Sequence, residues 1–129
     1  MSRIDLSSRV SPGYVVVALR GELDVSGAAR TGRTLAGAAA ARSRVIVDLA
    51  ELTFMDGRCV YALAAARQQA RKAGDDLLLV SLRGPALRVL SLAGPIDLPP
   101  VFASVDEAAS GEGRGPAPAG LTAELAAAK

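Results

Sequence analysis

Apolar and polar positions alternate loosely from Ser2 to Val10, with Ile4 and Leu6 on one face, and then merge into the β-prone run Tyr14-Val15-Val16-Val17-Ala18-Leu19. Ser11-Pro12-Gly13 between them is turn chemistry, so the chain predicts an initial β-hairpin. Gly21-Glu22-Leu23-Asp24 is expected to break the second strand. The alanine-rich stretch that follows, to about Ala41, favours helix by propensity, with Ser26 as the expected cap and Leu35 as its one large apolar anchor. Val45-Ile46-Val47-Asp48-Leu49 is a short apolar run of the kind found in a strand covered on both faces.

A turn is expected over residues 50–54. Asp56 then stands as the N-cap of a helix beginning near Gly57, in which Val60, Leu63, Ala64, Arg67 and Ala70 share a face and Gly74 closes the C-terminus. Val60, Leu63 and, further on, Leu90 are expected in the core, and Arg67, Arg71 and Lys72 on a solvated helix face. Leu77-Leu78-Leu79-Val80 predicts another buried strand. Pro85 suits the first turn of a helix that carries Leu87 and Leu90 and stops at Gly94. Three prolines between residues 95 and 101 restrict any last strand to a short edge, and Ser104-Val105-Asp106-Glu107 predicts a capped final helix. From residue 110 to residue 129 the chain is Gly, Pro and Ala with only Leu121 and Leu125 as large apolar residues, which predicts a domain over 1–109 and a flexible tail over 110–129.

Strands alternating with helices imply an α/β fold with parallel strands, whose C-terminal ends open on one edge of the sheet. The segment after Leu19, with Glu22 and Asp24, and the segment after Leu49, with Asp56, then meet on that edge. Carboxylates converge there.

Composition narrows the chemistry available to such an edge. The 129 residues contain no histidine and one cysteine, which removes imidazole-based triads, most metal centres and any intrachain disulfide. No cofactor is implied. The net charge of +2 is spread along the chain, and four aromatic residues are too few for a base-stacking platform, so nucleic acid is not an expected partner. No segment approaches the roughly 20 apolar residues of a membrane span, and the single thiol agrees with a reducing compartment, so a cytoplasmic location is expected. Cys59 itself is expected to be a small buried thiol without a catalytic role.

Gly21-Glu22-Leu23-Asp24, the strand Val45–Leu49, and Leu52-Thr53-Phe54-Met55-Asp56 together resemble the STAS domain of bacterial anti-sigma factor antagonists. The resemblance continues through Gly84–Leu90, Leu92-Ala93-Gly94, Val101-Phe102, Ser104 and Glu107-Ala108, and so spans residues 3–109. It implies a STAS-type fold: a mixed central sheet of four to five strands with alternating helices. It also implies a binding function, in which the domain docks on an anti-sigma factor of the serine-kinase type and frees a sigma factor for transcription. The partner-binding edge carried over by the resemblance comprises Glu22, Asp24, Ser26, Asp56, Gly57, Arg58 and Cys59.

One position departs from the family. Its usual segment is Asp-Ser-Ser-Gly-Leu or Asp-Ser-Thr-Gly-Leu, with the second hydroxyl residue phosphorylated, whereas this chain reads Asp56-Gly57-Arg58-Cys59-Val60. Arg58 offers no oxygen for phosphate. A phosphate at that point would place a charge near −2 beside Asp56 and release the partner; arginine places +1 there instead. Binding is therefore either constitutive or divergently regulated, with Thr53, Ser26 and Ser81 as unorthodox acceptors. Alternatives are a STAS subunit of a transporter complex and a small-ligand or nucleotide sensor, the latter without a Gly-rich phosphate loop. An enzyme built on Asp24, Asp56 and Arg58 lacks a credible nucleophile.

Overall fold

The computed structural model describes residues 3–41, 44–93 and 97–110. Five strands form one sheet in the order β1-β2-β3-β4-β5: β1 (Ile4–Ser11), β2 (Tyr14–Leu23), β3 (Arg44–Met55), β4 (Leu77–Val80) and β5 (Val101–Phe102). β1 and β2 pair antiparallel as a hairpin, and every other pairing is parallel. The hairpin turn is Pro12-Gly13. Proline presets φ at the first turn position, and Gly13 takes φ +85° at the second.

Helices α1 (Val25–Ala40), α2 (Val60–Lys72) and α3 (Gly84–Ser91) connect the parallel strands, and α4 (Val105–Ser110) follows β5. Alternate residues of each parallel strand face opposite layers, which explains the continuous apolar runs. Val15, Val17, Leu19, Val45, Val47, Leu49, Leu77 and Leu79 pack against Leu35 of α1, Val60 and Leu63 of α2, and Leu90 of α3. Val16, Ile46, Leu78, Val80 and Phe102 form a smaller cluster on the other face, under Ala108 of α4. Ser104 caps α4 by accepting from the Glu107 N–H, while the Glu107 carboxylate accepts from the Ala103 N–H. Among the described residues no helix is long and apolar enough to cross a membrane.

Several local expectations need correction. β2 does not break at Gly21 but runs to Leu23, because Gly21 adopts φ +97° and the ladder shifts register between Gly21 and Glu22. Residues 50–54 are strand rather than turn: β3 stays paired with the extended β2 through Leu52 opposite Gly21, Phe54 opposite Glu22 and Met55 opposite Leu23. α1 is capped by Asp24, not Ser26, since the helix begins at Val25 and the Asp24 carboxylate accepts from the Gly27 N–H. Arg67 is not on a solvated face. It is 8% exposed and donates to Asp76, to Asp97 and to the carbonyl of Leu98, which ties α2 to the segment before β5.

The helix after Pro85 ends at Ser91, and the expected stop at Gly94 lies outside the described residues. Of the stretch 110–129, Ser110 ends α4 and the remainder lies outside them.

Candidate functional site

The C-terminal ends of β2 and β3 are parallel neighbours, and each strand hands directly to a capping aspartate. Leu23 lies opposite Met55, so Asp24 and Asp56 follow side by side on one edge of the sheet. The two strand ends are also stitched together, the Asp56 N–H donating to the Leu23 carbonyl at 2.9 Å. Each aspartate then caps a helical start: Asp24 opens α1, and Asp56 opens a single 3₁₀ turn, Gly57–Cys59, that runs into α2.

Both carboxylates are spent locally. Asp24 accepts from the Ser26 hydroxyl and from the Gly27 N–H, and these bonds, the hydroxyl first, hold its carboxyl below the usual range. Asp56 accepts from the Arg58 backbone N–H at 2.8 Å. The Arg58 guanidinium folds back onto the same carboxylate, Nε at 3.1 Å from Oδ1 and Nη2 at 2.9 Å from Oδ2. This fork lowers the Asp56 pKa to about 2, the side-chain bond to Arg58 contributing most and the backbone bond next. It also raises the pKa of Arg58, which stays a cation.

The remaining residues of the expected edge separate by environment. Glu22 sits on β2 rather than in a turn and pairs with Arg3 of the hairpin at 3.4 Å, away from the two capping aspartates. Ser26 is exposed in the first turn of α1, and Gly57 is exposed in the 3₁₀ turn. Cys59 turns inward, 1% exposed, its thiol 3.6 Å from the Leu23 carbonyl. Burial raises its pKa first, and the charges of Asp56 and Asp24 add to that, so the thiol stays protonated. Asp24, Ser26, Asp56, Gly57 and Arg58 are thus brought together at the surface, with Cys59 beneath them.

Beside this edge lies a shallow apolar cleft between α2 and α3. One part, about 250 Å³, is lined by Gly57, Val60, Tyr61, Val89, Leu92 and Ala93. An adjoining part, about 280 Å³, lies between β3 and α3, shares Val89 and is lined by Phe54, Met55, Pro85 and Arg88. Tyr61, Leu92 and Phe54 are 64%, 76% and 45% exposed. The hydrophobic pattern did not single these residues out; for Tyr61 the available signal was a large side chain beside, rather than on, the buried stripe of α2.

The STAS domain family matches residues 5–108, a span that runs from the second residue of β1 to the body of α4. This chain belongs to the STAS domain family. Its fold is similar to that of an anti-sigma factor antagonist from Mycobacterium paratuberculosis, with a TM-score of 0.71 at 21% identity over 83% of this chain and 92% of that one. A putative anti-sigma factor antagonist from Thermotoga maritima aligns with a TM-score of 0.68 at 16% identity, over 80% and 90% of the two chains. The Bacillus cell fate determinant SpoIIAA, in its phosphorylated form, aligns at 0.57 and 21% identity, over 81% and 93%. At these identities the likeness is one of fold. On the sheet edge of this STAS domain a guanidinium is clamped to the aspartate that caps the 3₁₀ turn leading into α2.

Proposed function

We infer that this STAS domain is an anti-sigma factor antagonist-like regulator, which binds a kinase-type anti-sigma factor in the cytoplasm and so frees a sigma factor. It acts by binding, not by catalysis. The observation that supports this is the edge itself: two aspartates on neighbouring parallel strands, each capping a helical start, with residue 58 held between carboxylate and solvent. That edge is rigid because the carboxylates are locked by hydrogen bonds before any partner arrives, which reduces the ordering cost of association.

At position 58 the guanidinium replaces a hydroxyl, so binding is not released by phosphorylation there. A charge of +1 that is already paired with Asp56 cannot be converted into the dianion that would repel a partner.

Co-purification from native cytoplasm tests this, with wild type, Arg58→Ser and Asp56→Ala compared and captured proteins identified by mass spectrometry. The expected result is a kinase-type anti-sigma factor captured by wild type and lost with Asp56→Ala, and a phosphate on Arg58→Ser that wild type does not acquire. Capture of a transporter ATPase instead, or of no such kinase by any of the three, overturns the proposal.

A further inference from the structure

The helices that cover one face of the sheet carry a one-sided charge. α1 holds Arg30 and Arg33, α2 holds Arg67, Arg71 and Lys72, and α3 holds Arg88; none of the three contains an aspartate or glutamate. Asp56, beside the cleft, is already engaged by Arg58, and both Asp76 and Asp97 are engaged by Arg67. Arg88 lines the adjoining part of the cleft, between β3 and α3, is exposed, and has no ion-pair partner among the described residues. Arg58 follows Gly57 at the other end of the cleft. Its side chain is 75% exposed, and its Nη1 has no hydrogen-bond partner among the described residues.

An apolar trough rimmed by Tyr61 and Leu92, with Arg88 along its adjoining part and Arg58 next to Gly57 at its other end, has a definite complement. We propose that it docks an acidic amphipathic segment of the partner protein, apolar side chains entering between α2 and α3 and carboxylates reaching Arg58 and Arg88. Arginine is suited to that task, since its planar fork can hold one carboxylate with some donors and offer the rest to another. Arg58 thereby cancels the charge of Asp56 on the edge and leaves one guanidinium nitrogen, Nη1, to offer outward. A partner whose contact surface is basic finds the Asp56 carboxylate already paired, so Arg58 selects among related partners. The concave, apolar lining favours an inserted helix over a nucleic acid, which would require a continuous row of cations along its phosphates.

This assignment deepens the anti-sigma reading by naming the character of the partner's contact segment, and its test is separable from that of the reading. The ¹⁵N-labelled full chain is titrated with a synthetic helical peptide of about 18 residues. Its leucines lie at i, i+4 and i+7 and are flanked by glutamates; a twin peptide carries lysine at every glutamate. The glutamate peptide is expected to move the amide signals of Gly57, Tyr61, Val89 and Leu92, and to bind at least about tenfold more tightly than the lysine twin. Arg88→Glu, at an exposed position without a partner, should weaken it by about tenfold or more, and Arg58→Glu should act in the same direction.

Equal affinity for the two peptides, no effect of Arg88→Glu, shifts confined to another face, or no shifts at millimolar peptide each overturn the assignment. So does tighter binding to phosphatidylserine vesicles or to a short DNA duplex than to the glutamate peptide. The peptides contain no anti-sigma factor sequence. A failure here therefore leaves the co-purification result standing, and a failure there leaves the peptide result standing.

Discussion

Arg58 closes a ring on Asp56: the backbone N–H of the arginine and two nitrogens of its side chain all donate to the one carboxylate two residues earlier. The same aspartate therefore caps the 3₁₀ turn that runs into α2 and neutralises the residue two positions further on.

The titration of Asp56 should report that ring. Its carboxyl is expected to titrate near pH 2 in the folded protein, against an ordinary value of 3.8. Because the folded value is depressed, its stabilising contribution is present above pH 3.8 and is lost as pH falls through about 2. In Arg58→Ser the side-chain bonds disappear and the backbone N–H remains, so the midpoint should rise toward, but not reach, the ordinary value. Carbon-13 NMR of the Asp56 carboxyl measures both, and an unmoved midpoint would show that the fork does not form in solution.

Cys59 should be inert while the protein is folded. Burial and two nearby carboxylates keep its thiol protonated, so alkylation by iodoacetamide at pH 8 is expected to be slow and to become fast in denaturant. With the folded pKa raised, the linked stability is intact below the ordinary value of 9.0 and declines as pH rises beyond it. Rapid labelling of the native protein at pH 8 would contradict this placement.

Gly21 and Gly74 have the same φ of +97° but different neighbours. A Cβ on Gly21 would lie 2.6 Å from the Arg3 carbonyl oxygen, whereas one on Gly74 meets nothing within 4 Å. Gly21→Ala should therefore cost about 2 to 4 kcal/mol, from backbone strain and a steric clash together. Gly74→Ala should cost only about 1 kcal/mol. Urea denaturation of the two variants gives the comparison, and equal losses would remove the role assigned to the contact between Arg3 and Gly21.

Thr31 is 1% exposed, and its hydroxyl has no hydrogen-bond partner among the described residues. Replacing a buried, unsatisfied hydroxyl with a methyl of similar shape removes a desolvation penalty, so Thr31→Val should stabilise the protein by about 1 kcal/mol. A melting temperature lower than wild type would mean that the hydroxyl has a partner in solution.

Where local pattern and tertiary demand coincide, the elements were legible in the chain. Val45–Leu49 and Leu77–Val80 read as strands covered on both faces because parallel strands between helical layers leave no room for alternation. The capping role of Asp56 followed from a short oxygen-bearing side chain before a helical pattern, and the convergence of Asp24 with Asp56 followed from strand order alone.

Long-range pairing decided the rest. The lengths of β2 and β3 depend on each other, since residues 50–54 stay extended only because the far half of β2 offers them a hydrogen-bonding edge. Arg67 looked like a surface charge because a helical wheel does not show Asp76 and Asp97 arriving from other segments to satisfy a buried guanidinium. Arg58 was visible as a departure from the family pattern, but its grip on Asp56 required the backbone of the 3₁₀ turn to bring the two side chains face to face. The sequence by itself thus determined the layers, the cap at Asp56 and the meeting of Asp24 and Asp56 on one edge. Which charges that edge has left for a partner was decided by the tertiary structure, because charge is cancelled by distance and not by order along the chain.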